Sequence, residues 1–120
     1  MIIHLYKLPD PELNPNKRLH YMKLYQAKLR AKEEVYLRFL EQCQRVAPFV
    51  KAHVDIKWIA KDNRRRDVDN LFASMKPYID GLVWAEVLTD DSAELITYSL
   101  SYEKGNENDT IISISADSYK

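Results

Sequence analysis

AHVDIKWIAKDNRRRDVDNLF, residues 52–72, changes period halfway along. In its first half Ala52, Val54, Ile56, Trp58 and Ala60 alternate with His53, Asp55 and Lys57, the two-residue period of a strand buried on one face. From Val68 onward Leu71, Phe72, Met75, Ile79, Leu82 and Val83 recur at helical spacing. Between the two patterns lies NRRRDVDN, residues 63–70, in which three arginines run into Asp67 and Asp69. A strand therefore hands over to a helix through a junction dense in charge, and the chain alternates β with α.

Outward from this junction the same reading continues. MIIHLYKL at the start reads as a strand, ended by the turn cluster PDPELNPN. A long helix follows over roughly residues 18–44, with the apolar stripe Tyr21, Leu24, Tyr25, Leu29, Tyr36, Leu40 and Cys43, broadened by Val35 and Phe39. Pro77 falls inside the second helix, where it removes a backbone hydrogen bond and kinks or interrupts it. The last third reads as a hairpin: Ile96, Tyr98, Leu100 and Tyr102 share a face, KGNEND turns, and Ile112, Ile114 and Ala116 return. The expected architecture is a single α/β (α+β) domain over residues 1–120, with a small mixed β-sheet and two main helices.

Composition bounds the possibilities. The 120 residues are 46% hydrophobic and 30% charged, the balance of a globular chain and not of a disordered one. No apolar run approaches the ~20 residues of a membrane span, and the first residues carry no basic, signal-like region. Cys43 is the single cysteine, so no internal disulfide forms and a cytoplasmic location is expected. Net charge is zero, but Lys17 to Arg38 holds seven Lys or Arg against two Glu, and Glu86 to Asp109 seven acids against one Lys. That division suits one face for phosphates and another for metal or solvent, and it also fits ordinary surface patterning.

Asp67 and Asp69 at the junction, with Asp90 and Asp91 before the last strands, offer hard oxygen ligands of the kind Mg2+ takes while keeping several waters. Carboxylates converging from separate segments in this way would support phosphodiester hydrolysis. In a continuous helix, positions 69, 73, 76 and 80 share a face, which sets Lys76 above Asp69 with Asp80 as its partner one turn on. Arg64, Arg65 and Arg66 supply forked donors for phosphate oxygens, and Lys17 and Arg18 join them as DNA-binding candidates.

Structural roles compete with each assignment. Asp67 or Asp69 is a favoured N-cap for the following helix, and DSAE at 91–94 has the form of a capping box. A second nuclease pattern, PD at 9–10 with DIK at 55–57, matches in letters, although any alternating strand yields Asp55 and Lys57 on its polar face. His4, His20 and His53 have no metal-ligand spacing. Two glycines, Gly81 and Gly105, cannot build a phosphate loop. Cys43 lies on the apolar stripe, as a core residue would, and Tyr25 beside the basic face could stack on a base.

RRRDVDNL, then Lys76 and IDGL, then VLTDDS resembles the RusA family of Holliday junction resolvases. The match runs from residue 64 to residue 92, with the elements in the family's order. The resemblance implies a small α/β homodimer that binds four-way DNA junctions and nicks two opposed strands with Mg2+ or Mn2+, in recombination and repair, and it suggests a bacterial or phage-encoded source. On this resemblance Asp67, Asp69 and Asp91 match the metal-binding carboxylates, Lys76 the essential lysine and Asp90 a less critical neighbour. Paired cuts related by a two-fold axis give a homodimer a physical reason. The alternatives are a nuclease of other branched or flapped DNA, and a non-catalytic DNA-binding module whose carboxylates cap helices.

Overall fold

The computed structural model describes residues 1–117. A four-stranded mixed sheet carries the helices on one face. Its strands are β1 (Ile2–His4), β2 (Ala52–Ala60), β3 (Ile96–Lys104) and β4 (Asp109–Ala116), in the spatial order β1-β4-β2-β3. The helices are α1 (Tyr21–Gln42), α2 (Val68–Ala73) and α3 (Lys76–Trp84), with a short 3-10 turn at Pro11–Leu13. The expected α+β class and small mixed sheet are what the chain adopts.

β2 is one of the two inner strands and keeps its period throughout: all five inward residues from Ala52 to Ala60 are buried and the four between them partly exposed. It pairs in parallel with β3, from Ala52 opposite Ile96 to Ala60 opposite Lys104. A parallel pair needs a long crossover, and the segment carrying α2 and α3 provides it.

β3 and β4 do not form the expected hairpin. β2 lies between them, parallel to β3 and antiparallel to β4. The loop after β3 therefore crosses the end of β2, where Gly105 N–H donates to Ala60 O (3.0 Å) and Lys61 N–H to Asn108 Oδ1 (2.9 Å). Strands two places apart stand about 9.6 Å from one another, which a loop of this length spans. Alternation along a strand says which face is buried but not which strand is its neighbour, so the sequence pattern fits either arrangement.

The long helix is present, but it buries only part of the expected stripe: Val35 and Phe39 are buried, and Leu24, Tyr36 and Cys43 pack against the core. Its fully buried residues are Ala27, Ala31, Val35 and Phe39, while Tyr21, Tyr25, Leu29 and Leu40 face solvent. Small residues win because α3 packs closely across this face: a Cβ on Gly81 would lie 2.3 Å from Val35 Cγ1 and 2.8 Å from Lys32 O. Alanine permits that approach where tyrosine and leucine do not. Cys43 packs against the core as expected, and burial raises its thiol pKa, which disfavours the nucleophilic thiolate.

The second helix is two helices. Ser74 and Met75 break it: Met75 N–H turns back to Phe72 O (2.9 Å) in a tighter turn, and the Ser74 hydroxyl donates to Asn70 O (2.9 Å). Pro77 then lies in the first turn of α3, where its missing N–H costs nothing and its fixed φ suits the helix. No helix among the described residues is long and apolar enough to cross a membrane.

Candidate functional site

The strand-to-helix junction opens into a cleft of about 650 Å3 between residues 7–14 and residues 62–74. Lys7, Arg64, Arg65 and Arg66 bring positive charge to it, Asn14, Asn70 and Asn108 bring neutral donors, and Asp10, Asp62 and Asp67 bring carboxylates. β2 positions one wall by ending at Ala60, and the backbone then turns at Asp62, whose carboxylate accepts from Arg64 N–H (3.0 Å).

The three arginines separate into two kinds. Arg66 is turned inward: its guanidinium forms a two-pronged pair with Asp62 (2.7 and 3.0 Å) and reaches Tyr102 Oη (3.3 Å). That pairing, chiefly its hydrogen bonds, holds the Asp62 carboxyl well below the usual carboxylate range and Arg66 above its own. Arg66 therefore braces the loop. Arg64 and Arg65 stay exposed, and the Arg65 side chain, 90% accessible, rests 3.3 Å from Asp67. These two have forked donors free for phosphate oxygens.

Asp67 occupies the N-cap position of α2, yet its side chain makes no capping hydrogen bond. Its carboxylate is half-exposed and engaged only loosely by Arg65. Capping thus fails to explain its side chain, although its backbone position is that of a cap. Asp69 follows in the first turn, exposed, where a carboxylate is favoured by the helix dipole.

Asp91 and Lys76 form a second group. Lys76 Nζ bonds Asp80 Oδ1 (2.8 Å), the expected partner one turn on, and also the Asp91 carboxylate. Because α2 and α3 are separate helices, the continuous register that set Lys76 over Asp69 does not exist, and Lys76 instead points into the Asp80–Asp91 pair. Those bonds raise the Lys76 pKa above its ordinary value, Asp80 contributing most, and the Lys76 hydrogen bond lowers that of Asp91. Asp90 turns the chain by accepting from Asp91 N–H (2.9 Å). The expected capping box at 91–94 is overturned: residues 93–95 are a turn leading into β3, with no helix to cap.

Among the described residues no group of three or more His, Cys, Asp or Glu side chains is arranged to hold a metal ion. Asp67 and Asp69 are exposed carboxylates of the donor type that Mg2+ or Mn2+ takes, but of the two only Asp67 lines the cleft, and Asp91 is bonded to Lys76. The PD and DIK letters are otherwise employed. Asp55 accepts from the Ser99 hydroxyl (2.5 Å), Lys57 pairs with Glu103 (3.5 Å), and Asp10 caps the 3-10 turn through Glu12 N–H (3.0 Å).

Lys17 and Arg18 are exposed just before α1, and Lys17 N–H donates to O of the cleft residue Asn14 (2.9 Å). Sequence reasoning missed Lys7, Asn14 and Asn108. They lie in the segments MIIHLYKL, PDPELNPN and KGNEND, whose spacing carries no chemistry by itself and which only the fold brings to the cleft. Comparison with known families and with curated proteins gives no match to this chain.

Proposed function

We propose that the chain is a Mg2+- or Mn2+-dependent endodeoxyribonuclease that acts on branched DNA, with the four-way junction as substrate and a homodimer making paired nicks. The observation that carries this reading is Asp67. A carboxylate at an N-cap position that leaves its capping bond unmade, in a cleft lined by Arg64 and Arg65, has the chemistry to hold a cation beside a bound phosphate.

Arg64 and Arg65 bind the phosphodiester by charge-assisted hydrogen bonds. Asp67 and Asp69 would hold the cation, and a bound cation would supply polarisation of the phosphate and a lowered pKa for the attacking water. The water oxygen bonds to phosphorus and gives up a proton to solvent, the bond to the leaving sugar oxygen breaks, and that oxygen takes a proton from solvent. Lys76 has three N–H donors, two of them used by Asp80 and Asp91. Lys76 is not among the residues that line the cleft, so its third donor is assigned to a phosphate oxygen of the strand beyond the cleft, and Asp91 acts as the positioning group for that ammonium.

The second reading is a DNA-binding module without catalysis, favoured by the engagement of Asp91 with Lys76 apart from Asp67. Incubating the protein with synthetic four-way junction, flap and linear duplex, each with Mg2+ and with chelator, separates the possibilities. Metal-dependent cutting of the junction alone supports the proposal, and cutting of flaps alone reassigns the substrate. Binding without any cutting supports the module.

A further inference from the structure

Two non-glycine residues have left-handed backbones, Tyr6 (φ 61°) and Glu86 (φ 61°). Glu86 is explained by its place: Val87 N–H returns to Leu82 O and Glu86 N–H to Val83 O (2.9 and 3.0 Å), the pattern in which a helix ends on a left-handed residue. Tyr6 ends no helix. A bulky side chain with positive φ is an uncommon and strained arrangement, and here it is held by specific contacts. Asp109 Oδ1 accepts from Tyr6 N–H (2.8 Å) while its other oxygen bonds His4 Nδ1 (2.7 Å).

The effect of this strain is to present an aromatic ring. Tyr6 is 59% exposed, its ring lies nearly parallel to that of His4 (centroids 5.5 Å, 12°), and the Arg38 guanidinium stands 5.4 Å from its centre. On either side of this anchor the chain lines the cleft, through Lys7 after Tyr6 and Asn108 before Asp109. The Arg38 guanidinium is itself paired with Glu41 (2.6 Å), and of this segment it is Lys7, one residue on from Tyr6, that lines the cleft; an exposed ring at that distance from the lining has the make-up of a base-stacking platform.

We propose that Tyr6, supported by His4 and Arg38, stacks against an unpaired nucleobase of the strand whose backbone occupies the cleft. The inference rests on the nucleic-acid reading of that cleft and adds the preference for unpaired over paired bases. It also gives the Asp109 carboxylate a purpose, which is to hold the strained backbone that presents the ring.

The test uses the full chain with two probes of equal length, a single strand carrying 2-aminopurine and a fully paired duplex. Tyr6→Gly is the informative variant, because glycine takes a left-handed backbone without strain and the fold is kept. Its affinity for the single strand should fall roughly ten-fold, with loss of 2-aminopurine quenching, while duplex affinity is unchanged. Tyr6→Phe should bind as the parent does, since stacking needs the ring and not the hydroxyl. Equal single-strand binding and quenching by parent and Tyr6→Gly would overturn the stacking role while leaving the cleft's phosphate role intact. Failure of the parent to bind either probe would overturn both.

Discussion

Replacing Gly81 by alanine adds one methyl group to the α1–α3 contact, and two opposing effects decide the outcome. Alanine is the better helix former by about 1 kcal/mol in a helix interior, so an exposed glycine would give a more stable protein. At Gly81 the new Cβ would instead lie 2.3 Å from Val35 Cγ1 and 2.8 Å from Lys32 O. The second of these is a backbone atom, so no side-chain rotation relieves it and the helices must separate. Overpacking of this type costs about 1–3 kcal/mol, and forced movement of backbone places the cost toward the top of that range. The expected net effect is a loss of about 1–2 kcal/mol, or about 4–8 °C in Tm at about 4 °C per kcal/mol. Urea unfolding followed by far-ultraviolet circular dichroism measures it. In a Val35→Ala background the same substitution should cost less, because the closest of the contacts has been removed. A Gly81→Ala protein as stable as its parent or more so would refute the close packing of α3 on α1.

Other outcomes follow from the site. Arg65→Ala should weaken DNA binding and lower the slope of log affinity against log salt by about 1, since the Arg65 side chain is almost fully exposed in the cleft; an unchanged slope in fluorescence anisotropy would remove it from the phosphate contacts. Lys76→Met should cost about 1 kcal/mol at pH 7, the upper end for a solvent-screened pair. Asp91 has a lowered pKa in the folded chain, so its contribution is present above the ordinary carboxylate value, about 3.9, and is lost as pH falls through the folded value. The Lys76→Met deficit should therefore shrink below about pH 4, and a deficit constant down to pH 2 in urea titrations would contradict the pairing. Glu86→Gly should raise stability by about 0.5–1 kcal/mol, because the left-handed residue after α3 favours glycine; calorimetry showing a loss would mean that the pairing of Glu86 with Arg45 (4.0 Å) outweighs the strain.

The strand-to-helix junction was legible because both periods are local: β2 alternates without a fault, and the buried residues Met75, Ile79 and Leu82 came from helical spacing alone. What depends on partners was not. The apolar stripe of α1 pointed to tyrosines and leucines, but the helix that packs there selects alanines, and only the position of Gly81 reveals how closely it comes. Strand order was hidden for the same reason, since β4 alternates identically beside β2 or beside β3. Within the site, Asp67, Arg64 and Arg65 were identified and meet in one cleft. Lys76 found Asp80, as its spacing required, and also Asp91, which lies on a segment that no helix register could locate. Pro77, an obstacle in one continuous helix, fits once Ser74 and Met75 divide it in two.

On the proposed function, Asp67 holds a catalytic cation and does not serve as a helix cap. Cleavage of a synthetic four-way junction in Mg2+ by the parent and by Asp67→Asn tests it, because asparagine caps helices as well as aspartate does but lacks the charge a hard cation needs. The expected result is an Asp67→Asn protein that folds and binds the junction as the parent does but no longer cuts it. An Asp67→Asn protein that cuts the junction as fast as the parent would contradict the account.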